Sequence, residues 1–379
     1  MKNIPITRPY FDEEELKKVK ECLDSGWVTQ GPMVQRFEEL FRQYHECEYA
    51  VAVSSCTAAL HIAAMALGLG PGDEVIVPAF TWITSASCAE YVGASVKFVD
   101  VEAETMNIDP TKIEAAISEK TKAIIAVHLF GNPAKMDEIM EIAGKYNLKV
   151  IEDCACAIGT TYKGKKVGTI GDIGCFSFHP RKAITTGEGG MCSTNNKELY
   201  EKMLQYRNHG ASVTKKGENF GKPYYMGVYD TLGYNLRLSD IQAAVGVAQF
   251  DKLEKLLIDR RKAAEYYTLK LKHNENLLLP IVDSKMGHTY QSYVILLKSA
   301  KKDLRNRVME KLQENGIQSR PGTIAISRTE YNIKKYKLEQ SEFPVSEYCE
   351  DASITLPIYP SMPCEDQDKV IEIVEGTLR

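Results

Sequence analysis

The residue with the clearest chemical potential is a lysine, Lys182, in a stretch that carries few other charges. Apolar residues typical of a strand (173–178) precede it, and three glycines follow it at 187, 189 and 190. Glycines allow sharp turns and a close approach of the backbone to a ligand, so we expect this lysine to be held at a sheet edge. An amine that is partly removed from water is more readily neutral, and a neutral amine forms Schiff bases with carbonyl compounds. A lone lysine is more often an ordinary surface residue, so this interpretation depends on the rest of the chain.

Three further sets of residues follow predicted strands. Residues 54–60 open a helix, where hydroxyls and free N–H groups suit a phosphate or serve only as a helix cap. Trp82 follows the strand ending at Pro78, and its ring either stacks on a flat ligand or fills core. Asp153 ends a later strand and either pairs with a protonated heterocyclic nitrogen or caps a helix. Together with Lys182, these features predict a pocket for pyridoxal 5′-phosphate.

A repeating strand–helix pattern is expected to position these residues. Apolar, strand-like segments and helical segments alternate in the first half of the chain: strands at 50–54, 74–78, 95–100, 122–128 and 148–153, and helices at 57–68, 82–92, 110–118 and 136–146. Two amphipathic helices, 11–24 and 33–46, precede them, and 171–178 and 189–194 add strands. This alternation predicts an α/β fold with a mostly parallel sheet, whose ligands bind beyond the carboxyl ends of the strands.

The remainder of the chain predicts a smaller α+β domain. A long helical pattern at 238–273 leads into it. Its own elements are a strand (292–297), a helix (302–315), a loop (320–323) and a closing helix (365–377). We therefore expect a large domain over residues 1–240 and a linking helix with a small domain over residues 241–379.

Composition narrows the class of function. The 379 residues are 44% hydrophobic and 26% charged, as in a globular protein with a sizeable core. The net charge of −4 gives no electrostatic reason to expect nucleic acid or a membrane surface, and no apolar run is long enough to span a bilayer. The ten cysteines follow no regular framework, which favours reduced thiols in the cytoplasm. The seven histidines lack ligand spacing, so no metal is expected.

A nicotinamide-binding site is a weaker interpretation. It needs a glycine-rich turn between a strand and a helix. The comparable cluster, Gly68–Gly72, follows a helix and precedes a strand, so the order is wrong.

Nine segments of the chain, in order, match the motifs of one known family: SGWVTQGP (25–32), SCTAALH (55–61), GPGDEVIVP (70–78), HLFG (128–131), IED (151–153), SFHPRK (177–182), TGEGG (186–190), GYNLR (233–237) and DIQAA (240–244). The chain thus resembles the sugar-nucleotide aminotransferases of the DegT/StrS group over almost its whole length. The resemblance implies the type I fold of pyridoxal phosphate-dependent transferases. This fold has a large domain, with a mostly parallel seven-stranded sheet between helices, and a small C-terminal α+β domain.

The resemblance also implies a role for each site residue. Lys182 would form the Schiff base with pyridoxal 5′-phosphate and shuttle the proton during amino transfer. The remaining cofactor contacts would be Asp153 to the ring nitrogen, Trp82 to the ring face, and Thr57, the Ala58 backbone and Ser177 to the phosphate. Asn235 would reach the phosphate of a neighbouring subunit, which implies a homodimer with shared sites.

Two cysteines depart from the family pattern. Cys56 stands where relatives usually carry glycine. Cys156 stands where they usually carry glutamine or histidine in contact with the ring hydroxyl. Because a thiol is a weak donor, the contact of Cys156 with the cofactor ring is in doubt.

On the substrate side, the resemblance implies glutamate as amino donor and a nucleotide-linked keto sugar as acceptor. A 4-keto-6-deoxyhexose is expected, in the biosynthesis of amino sugars for surface glycans or secondary metabolites. Trp27 and Thr29 in one loop and Arg320 in another are candidate acceptor contacts. Arg320 suits a diphosphate, although a surface salt bridge is the alternative.

Other functions stay open at this point. A 3-keto sugar or a keto cyclitol without a nucleotide are alternative acceptors. A pyridoxal phosphate-binding regulator is a further alternative. Sugar 3-deoxygenation, in which histidine replaces the lysine, is disfavoured by Lys182.

Overall fold

The computed structural model describes residues 3–299 and 301–378. Thirteen α-helices lie in this part of the chain: α1 (Glu13–Ser25), α2 (Pro32–His45), α3 (Cys56–Ala66), α4 (Thr84–Tyr91), α5 (Ile113–Ala116), α6 (Met136–Tyr146), α7 (Lys197–Arg207), α8 (Asp240–Phe250), α9 (Leu253–Leu271), α10 (Lys302–Glu314), α11 (Glu330–Tyr336), α12 (Pro344–Ala352) and α13 (Cys364–Leu378). The strands are β1 (Tyr49–Val53), β2 (Glu74–Pro78), β3 (Phe80–Thr81), β4 (Ser95–Val99), β5 (Thr121–Val127), β6 (Lys149–Cys154), β7 (Thr161–Tyr162), β8 (Lys165–Lys166), β9 (Ile173–Ser177), β10 (Gly190–Thr194), β11 (Leu277–Leu278), β12 (Met286–Gly287), β13 (Tyr293–Leu297), β14 (Ile324–Ala325) and β15 (Ser353–Leu356). Short 3₁₀ helices occur at Pro110–Lys112, Leu129–Gly131 and Ile326–Arg328.

The largest sheet has seven strands in the order β1-β10-β9-β6-β5-β2-β4. Its neighbouring pairs are parallel except at β10, which runs antiparallel to both β1 and β9. Parallel neighbours need a long crossover, which the intervening helices provide. The segment from β9 to β10 contains no helix, so the chain returns antiparallel. The mostly parallel seven-stranded sheet expected from the sequence is confirmed.

Side chains of this sheet enter two hydrophobic cores, one on each face. Val51 and Val75 belong to the first core, which also contains residues of α3 and α7. Their neighbours Ala52 and Ile76 belong to the second core, with residues of α2, α6 and α8. Burial on both faces explains why these strands read as continuous apolar runs rather than as alternating ones.

The C-terminal part of the chain contains a three-stranded antiparallel sheet in the order β11-β13-β15. Residues of α10, α12 and α13 join these strands in the first hydrophobic core. Because that core also contains residues of the large sheet, the boundary at residue 240 stays a prediction.

The long helical pattern at 238–273 was expected to be one helix, and this prediction is wrong. The chain forms α8 and α9, separated at Asp251 and Lys252. The ammonium of Lys252 lies 2.8 Å from Asp12 and 2.5 Å from Glu15 at the start of α1. The break therefore coincides with a tertiary contact, which helical periodicity does not encode.

Several elements were not predicted from the sequence. They are the helices α7, α11 and α12, the strand β15, and the two-residue strands β3, β7, β8, β11, β12 and β14. In α7, the buried side chains are only Leu199, Met203 and Arg207, so its apolar pattern is weak. Arg207 is buried because it pairs with Glu38, at 2.6 Å, and with the carbonyl of Ala52. In the part of the chain described, none of the helices is both long and apolar enough to cross a membrane.

Candidate active site

Lys182 lies in the wall of a cavity of about 500 Å³ at the carboxyl edge of the large sheet. Strands β1, β2, β5, β6 and β9 all end at this edge because they run in the same direction. Parallel strands thus bring residues from distant parts of the sequence to one place. The predicted site residues that line the cavity are Thr57, Trp82, Asp153, Cys156, Ser177, Lys182 and Arg320.

The position of Lys182 is fixed by a turn after β9. Its amide donates a hydrogen bond to the carbonyl of His179 at 2.8 Å, and the amide of Thr186 bonds to the carbonyl of Phe178 at 3.0 Å. The Lys182 ammonium donates to the Cys156 thiol at 3.3 Å. The backbone therefore holds the lysine in place, and its amine faces a polarisable sulfur atom.

Two of the glycines after Lys182 exclude a side chain for different steric reasons. Gly187 has a φ of +82°, a conformation that residues with a side chain rarely adopt. At Gly190 a Cβ atom would approach the backbone of Ser55 and Cys56 to 2.5–2.7 Å. A glycine at 190 is therefore needed for β10 to lie against the start of α3, which forms another wall of the cavity.

The carboxylate of Asp153 is buried beside this cavity and held by two donors. Ser85 donates its hydroxyl to Oδ2 at 2.7 Å, and the amide of Ala155 donates to Oδ1 at 3.1 Å. The hydroxyl of Thr81 lies 3.0 Å from that of Ser85 and extends the network. The carboxylate is thus oriented, and its remaining lone pairs are available to a protonated ligand atom.

The start of α3 forms an anion-binding arrangement in the same wall. Ser55 caps the helix, because its hydroxyl accepts a hydrogen bond from the amide of Ala58 at 3.1 Å. The first amides of a helix have no acceptor within the helix, which leaves those of Cys56 and Thr57 for an anion. Ser177 and Thr57 add hydroxyls to the cavity wall. Since the Ala58 amide is already used by Ser55, its predicted phosphate contact stays a prediction.

The two cysteines that depart from the family pattern have different surroundings. The Cys56 thiol donates to the carbonyl of Cys175, and burial raises its pKa well above the ordinary range. Cys56 is therefore a neutral packing residue. Cys156, by contrast, is half-buried and contacts the Lys182 amine. It therefore lies next to the group that is expected to react with the cofactor.

A buried histidine–glutamate pair, which reaches the cavity wall through His128, was not predicted from the sequence. His128 Nε2 lies 2.9 Å from Glu152 Oε2, and both side chains are fully buried. His128 Nδ1 accepts the amide of Ala134, so Nε2 carries the proton and donates it to Glu152. Burial raises the pKa of Glu152, but hydrogen bonds from His128 and the amides of Gly168 and Gly171 outweigh burial and leave that pKa lowered.

The same pair lies close to a third possible metal ligand. The ligand atoms of His128, Glu152 and Cys154 are within 4.8 Å of one another. Glu152 already accepts four hydrogen bonds, from His128 and the amides of Gly168, Ile170 and Gly171. Burial also raises the pKa of the Cys154 thiol well above its ordinary range. The hydrogen bonds of Glu152 and the neutral thiol therefore favour a structural role for these residues over metal binding.

Arg320 brings an unpaired positive charge to the cavity. Among residues 3–299 and 301–378 it forms no ion pair with a carboxylate, which disfavours the alternative of a surface salt bridge. Its Nε atom is buried without a hydrogen-bond partner in the same part of the chain. Burial and then the nearby Arg181 lower the pKa of Arg320. An anionic ligand would satisfy this guanidinium and offset the repulsion from Arg181.

Two residues that support the site, Ser85 beside Asp153 and Gln291 in the cavity wall, were not predicted from the sequence. Ser85 follows Thr81 by four residues, and this spacing after a strand is the only local signal for the hydroxyl pair at Asp153. Gln291 lines the cavity and donates to the carbonyl of Arg181 at 2.7 Å. It comes from a distant segment, and no local pattern marks it.

The other candidate contacts lie outside the cavity wall of a single chain. Trp27 donates its indole N–H to the carbonyl of Gln30 at 3.1 Å, and the carbonyl of Thr29 accepts from the amide of Asp240 at 3.0 Å. Asn235 pairs with Asn208 in an isolated bridge. The roles of Trp27, Thr29 and Asn235 stay predictions.

The residues of the cavity fit pyridoxal phosphate in their chemistry. The lysine is the group to which its aldehyde would attach, and the oriented Asp153 carboxylate suits a protonated ring nitrogen. The start of α3 suits its phosphate. Trp82 offers an aromatic face, although its side chain is 55% exposed in the single chain.

Comparisons with known proteins point to the same chemistry. The sequence profile of the DegT/DnrJ/EryC1/StrS aminotransferase family matches residues 9–375. A GDP-perosamine synthase of Escherichia coli O157:H7 is 40% identical over 381 residues, covering 99% of this chain and 98% of that protein.

Solved structures agree over the whole fold. A putative sugar aminotransferase of Streptococcus pneumoniae, in its PMP form, superposes with a TM-score of 0.94 at 29% identity and 99% coverage of both chains. Helicobacter pylori PseC, an aminotransferase involved in the biosynthesis of pseudoaminic acid, superposes with a TM-score of 0.92 at 28% identity and 99% coverage of both chains. The Streptococcus protein has also been solved in its PLP form, which identifies the cofactor of these enzymes. By its sequence, its fold and its lysine-containing cavity, the chain belongs to the DegT/DnrJ/EryC1/StrS family of pyridoxal phosphate-dependent aminotransferases.

Proposed function

We propose that this enzyme transfers the amino group of glutamate to a nucleotide-linked keto sugar, and that the acceptor is a 4-keto-6-deoxyhexose. The observation that carries the acceptor class is the unpaired guanidinium of Arg320 in the cavity that contains Lys182. A guanidinium donates two parallel hydrogen bonds to phosphate oxygens, and a sugar nucleotide brings two phosphates. A similar GDP-perosamine synthase, which by its name forms a GDP-linked sugar, supports the same class.

We assign each residue of the cavity a separate role in amino transfer. When bound, pyridoxal phosphate supplies an electron sink that makes the proton next to the transferred nitrogen removable. Lys182 would hold and move that proton at Nζ. Asp153 would keep positive charge on the cofactor ring, and Trp82 would cover one ring face. The start of α3 and Ser177 would bind the phosphate and keep the cofactor in register with the lysine.

The reaction class and the acceptor are tested with one panel. The purified holoenzyme would be mixed with glutamate and with nucleotide-linked 4-keto and 3-keto sugars, and the products would be identified by mass spectrometry and NMR. We expect a 4-amino sugar nucleotide and 2-oxoglutarate. Amination at C3 would show that the proposed position, C4, is wrong. Amination of only a free keto sugar or a keto cyclitol would show that the proposed substrate class is wrong. Binding of the cofactor without turnover of any acceptor would favour a regulator.

Arg320→Ala should raise the KM for the sugar nucleotide by about 10- to 100-fold, because a hydrogen-bonded charge pair is lost. The KM for glutamate should change much less. Arg328→Ala is the matched control, since Arg328 lies in the same part of the fold but already pairs with Glu350 and Asp351 at 2.8 and 3.1 Å. An unchanged KM for the sugar nucleotide in Arg320→Ala would show that Arg320 does not bind the diphosphate.

We also propose a homodimer in which each site uses residues of both copies. Trp82 is 55% exposed, although it lines the cavity. The segment 211–234 exposes several large apolar side chains: Val213, Phe220, Tyr224, Met226, Tyr229 and Leu232. Exposed apolar surface of this kind favours a protein partner. A twofold pair would give each cavity one copy of the Asn235 segment from the opposite chain.

Mixing two inactive variants tests the shared site. Lys182→Ala and an Asn235→Ala variant should each be inactive or severely impaired, and subunit exchange between them should restore activity. In a hybrid dimer with shared sites, one of the two sites carries neither lesion. If labelled subunits exchange and activity still does not return, the site lies within one chain.

We also propose that the boundary between the two domains lies at residue 240 and that the enzyme is cytoplasmic. Helix α8 begins at Asp240, and α9 carries the chain to the small sheet. All ten cysteines are free, which favours a reducing compartment.

A further inference from the structure

A second open cavity, of about 660 Å³, lies next to the first, and Arg320 lines both. Its remaining wall comes from the N-terminal segment, helix α10 and the segment that follows that helix. The lining is mixed: amide and hydroxyl groups alternate with apolar side chains, and Glu310 contributes a carboxylate. A flat heterocycle with several hydrogen-bonding atoms matches this mixture of groups.

One face of α10 forms the floor of this second cavity. Asn306, Met309, Glu310 and Gln313 follow the spacing that places side chains on the same side of a helix. The adjacent side of the helix is buried through Arg305, Val308 and Leu312. The floor is therefore held by the small-domain core, although its polar atoms face the cavity.

The side wall is a stretch of backbone that leads directly to Arg320. The Ile4 amide donates to the carbonyl of Gly316 at 2.9 Å, and the Gln318 amide donates to the carbonyl of Ile4 at 2.9 Å. On the other side, the amide of Thr355 in β15 donates to the carbonyl of Arg320 at 2.7 Å. The position of Arg320 relative to α10 is thus set by hydrogen bonds on both sides.

The sizes of the two cavities favour a division of the substrate. The first cavity, of about 500 Å³, has to hold both the cofactor and the sugar. A nucleoside therefore has to lie beyond the diphosphate, and Arg320 is the residue from which a second space opens.

The carboxylate of Glu310 favours one base over the others. Guanine presents a ring N–H and an exocyclic amino group side by side, and two such donors match the two oxygens of a carboxylate. Uracil and thymine present one N–H between two carbonyl oxygens, which a carboxylate repels. Glu310 has no ion-pair partner among residues 3–299 and 301–378, so its charge is available.

We propose that the second cavity is the nucleoside subsite of this enzyme and that Glu310 selects a guanine base. The proposal rests on the nucleotide-sugar acceptor proposed above. It adds a residue and a base preference that the reaction class alone does not specify.

Direct binding to the holoenzyme tests the subsite without turnover. Isothermal titration with GDP, UDP and dTDP should show a preference for GDP. Glu310→Gln should weaken GDP binding by about tenfold but should not weaken UDP binding, which loses only a repulsive contact. Glu314→Gln is the matched control, because Glu314 lies on the same helix outside the cavity, paired with Lys311 at 2.7 Å. Removing a negative charge should by itself strengthen the binding of an anion, so a specific loss in Glu310→Gln cannot come from net charge.

The outcomes separate this inference from the proposed function. Equal Kd values for the three nucleotides, an unchanged GDP Kd in Glu310→Gln, or the same loss in Glu314→Gln would each overturn the subsite. If nucleotide sugars are nevertheless aminated, the proposed function stands without it. If Glu310→Gln loses GDP binding while no nucleotide sugar is aminated, the subsite stands and the proposed acceptor is wrong.

Discussion

Replacement of Lys182 with alanine is expected to lower the transamination rate by at least about 10³-fold, because one amine serves both covalent attachment and proton transfer. The amine lies in the wall of the cavity, 3.3 Å from the Cys156 thiol. Borohydride treatment of the wild-type holoenzyme should fix pyridoxyl phosphate to the peptide that contains Lys182. Peptide mapping and steady-state kinetics are the measurements.

A second lysine provides the matched control. Lys166 is half-buried, and its ammonium lies 4.0 Å from the centre of the Tyr44 ring. Burial lowers its pKa, so it shares partial desolvation with a catalytic lysine but lies outside the cavity. Lys166→Ala should keep the borohydride label and the rate. A label on any lysine other than Lys182 would show that the cofactor attaches elsewhere and that the cavity is not the active site.

The position of the site was predictable because it follows from strand direction. Trp82, Asp153 and Ser177 occur at or just after the ends of apolar segments, and parallel strands bring such positions to one edge. The helix that follows the first strand begins with hydroxyl-bearing residues, and the same strand direction places this anion-binding helix start at the same edge of the sheet. Local sequence patterns therefore suffice for the edge of the sheet, once the strands are known to be parallel.

Contacts between distant segments were not predictable in this way. Ser85 acts on Asp153 through its hydroxyl, and only the fold brings these two residues together. Glu152 looks like a surface charge next to Asp153, but it is fully buried against His128. The separation of α8 from α9 at Asp251 likewise reflects packing on α1 rather than a break in the helical pattern.

The order of the two carboxylates in β6 is something that the strand pattern leaves open and that only the family resemblance assigns from the sequence. Neighbouring residues of a strand point to opposite faces of the sheet. Glu152 therefore binds the amides of Gly168 and Ile170 on one face, whereas Asp153 faces Ser85 and the cavity. Only the register of the sheet decides which acid is structural and which is available to the cofactor.

The second large effect is expected at Asp153. Asp153→Asn should lower the rate by about 10²-fold or more, because an amide cannot supply the negative charge that keeps positive charge on the ring. The Ser85 hydroxyl, at 2.7 Å from the carboxylate, should still orient the new side chain. The measurement is kcat together with the pH dependence of the cofactor absorption band, which a merely structural change would not move.

A graded series separates charge from orientation at this residue. Ser85→Ala removes one of the donors to Asp153 but leaves its charge, so the rate should fall by only about tenfold. Asp137→Asn is the matched control, because this exposed aspartate pairs with Lys163 away from the cavity. Its rate and absorption band should equal those of the wild type. If Ser85→Ala were as damaging as Asp153→Asn, with an unshifted band in both, orientation rather than charge would be the contribution of Asp153.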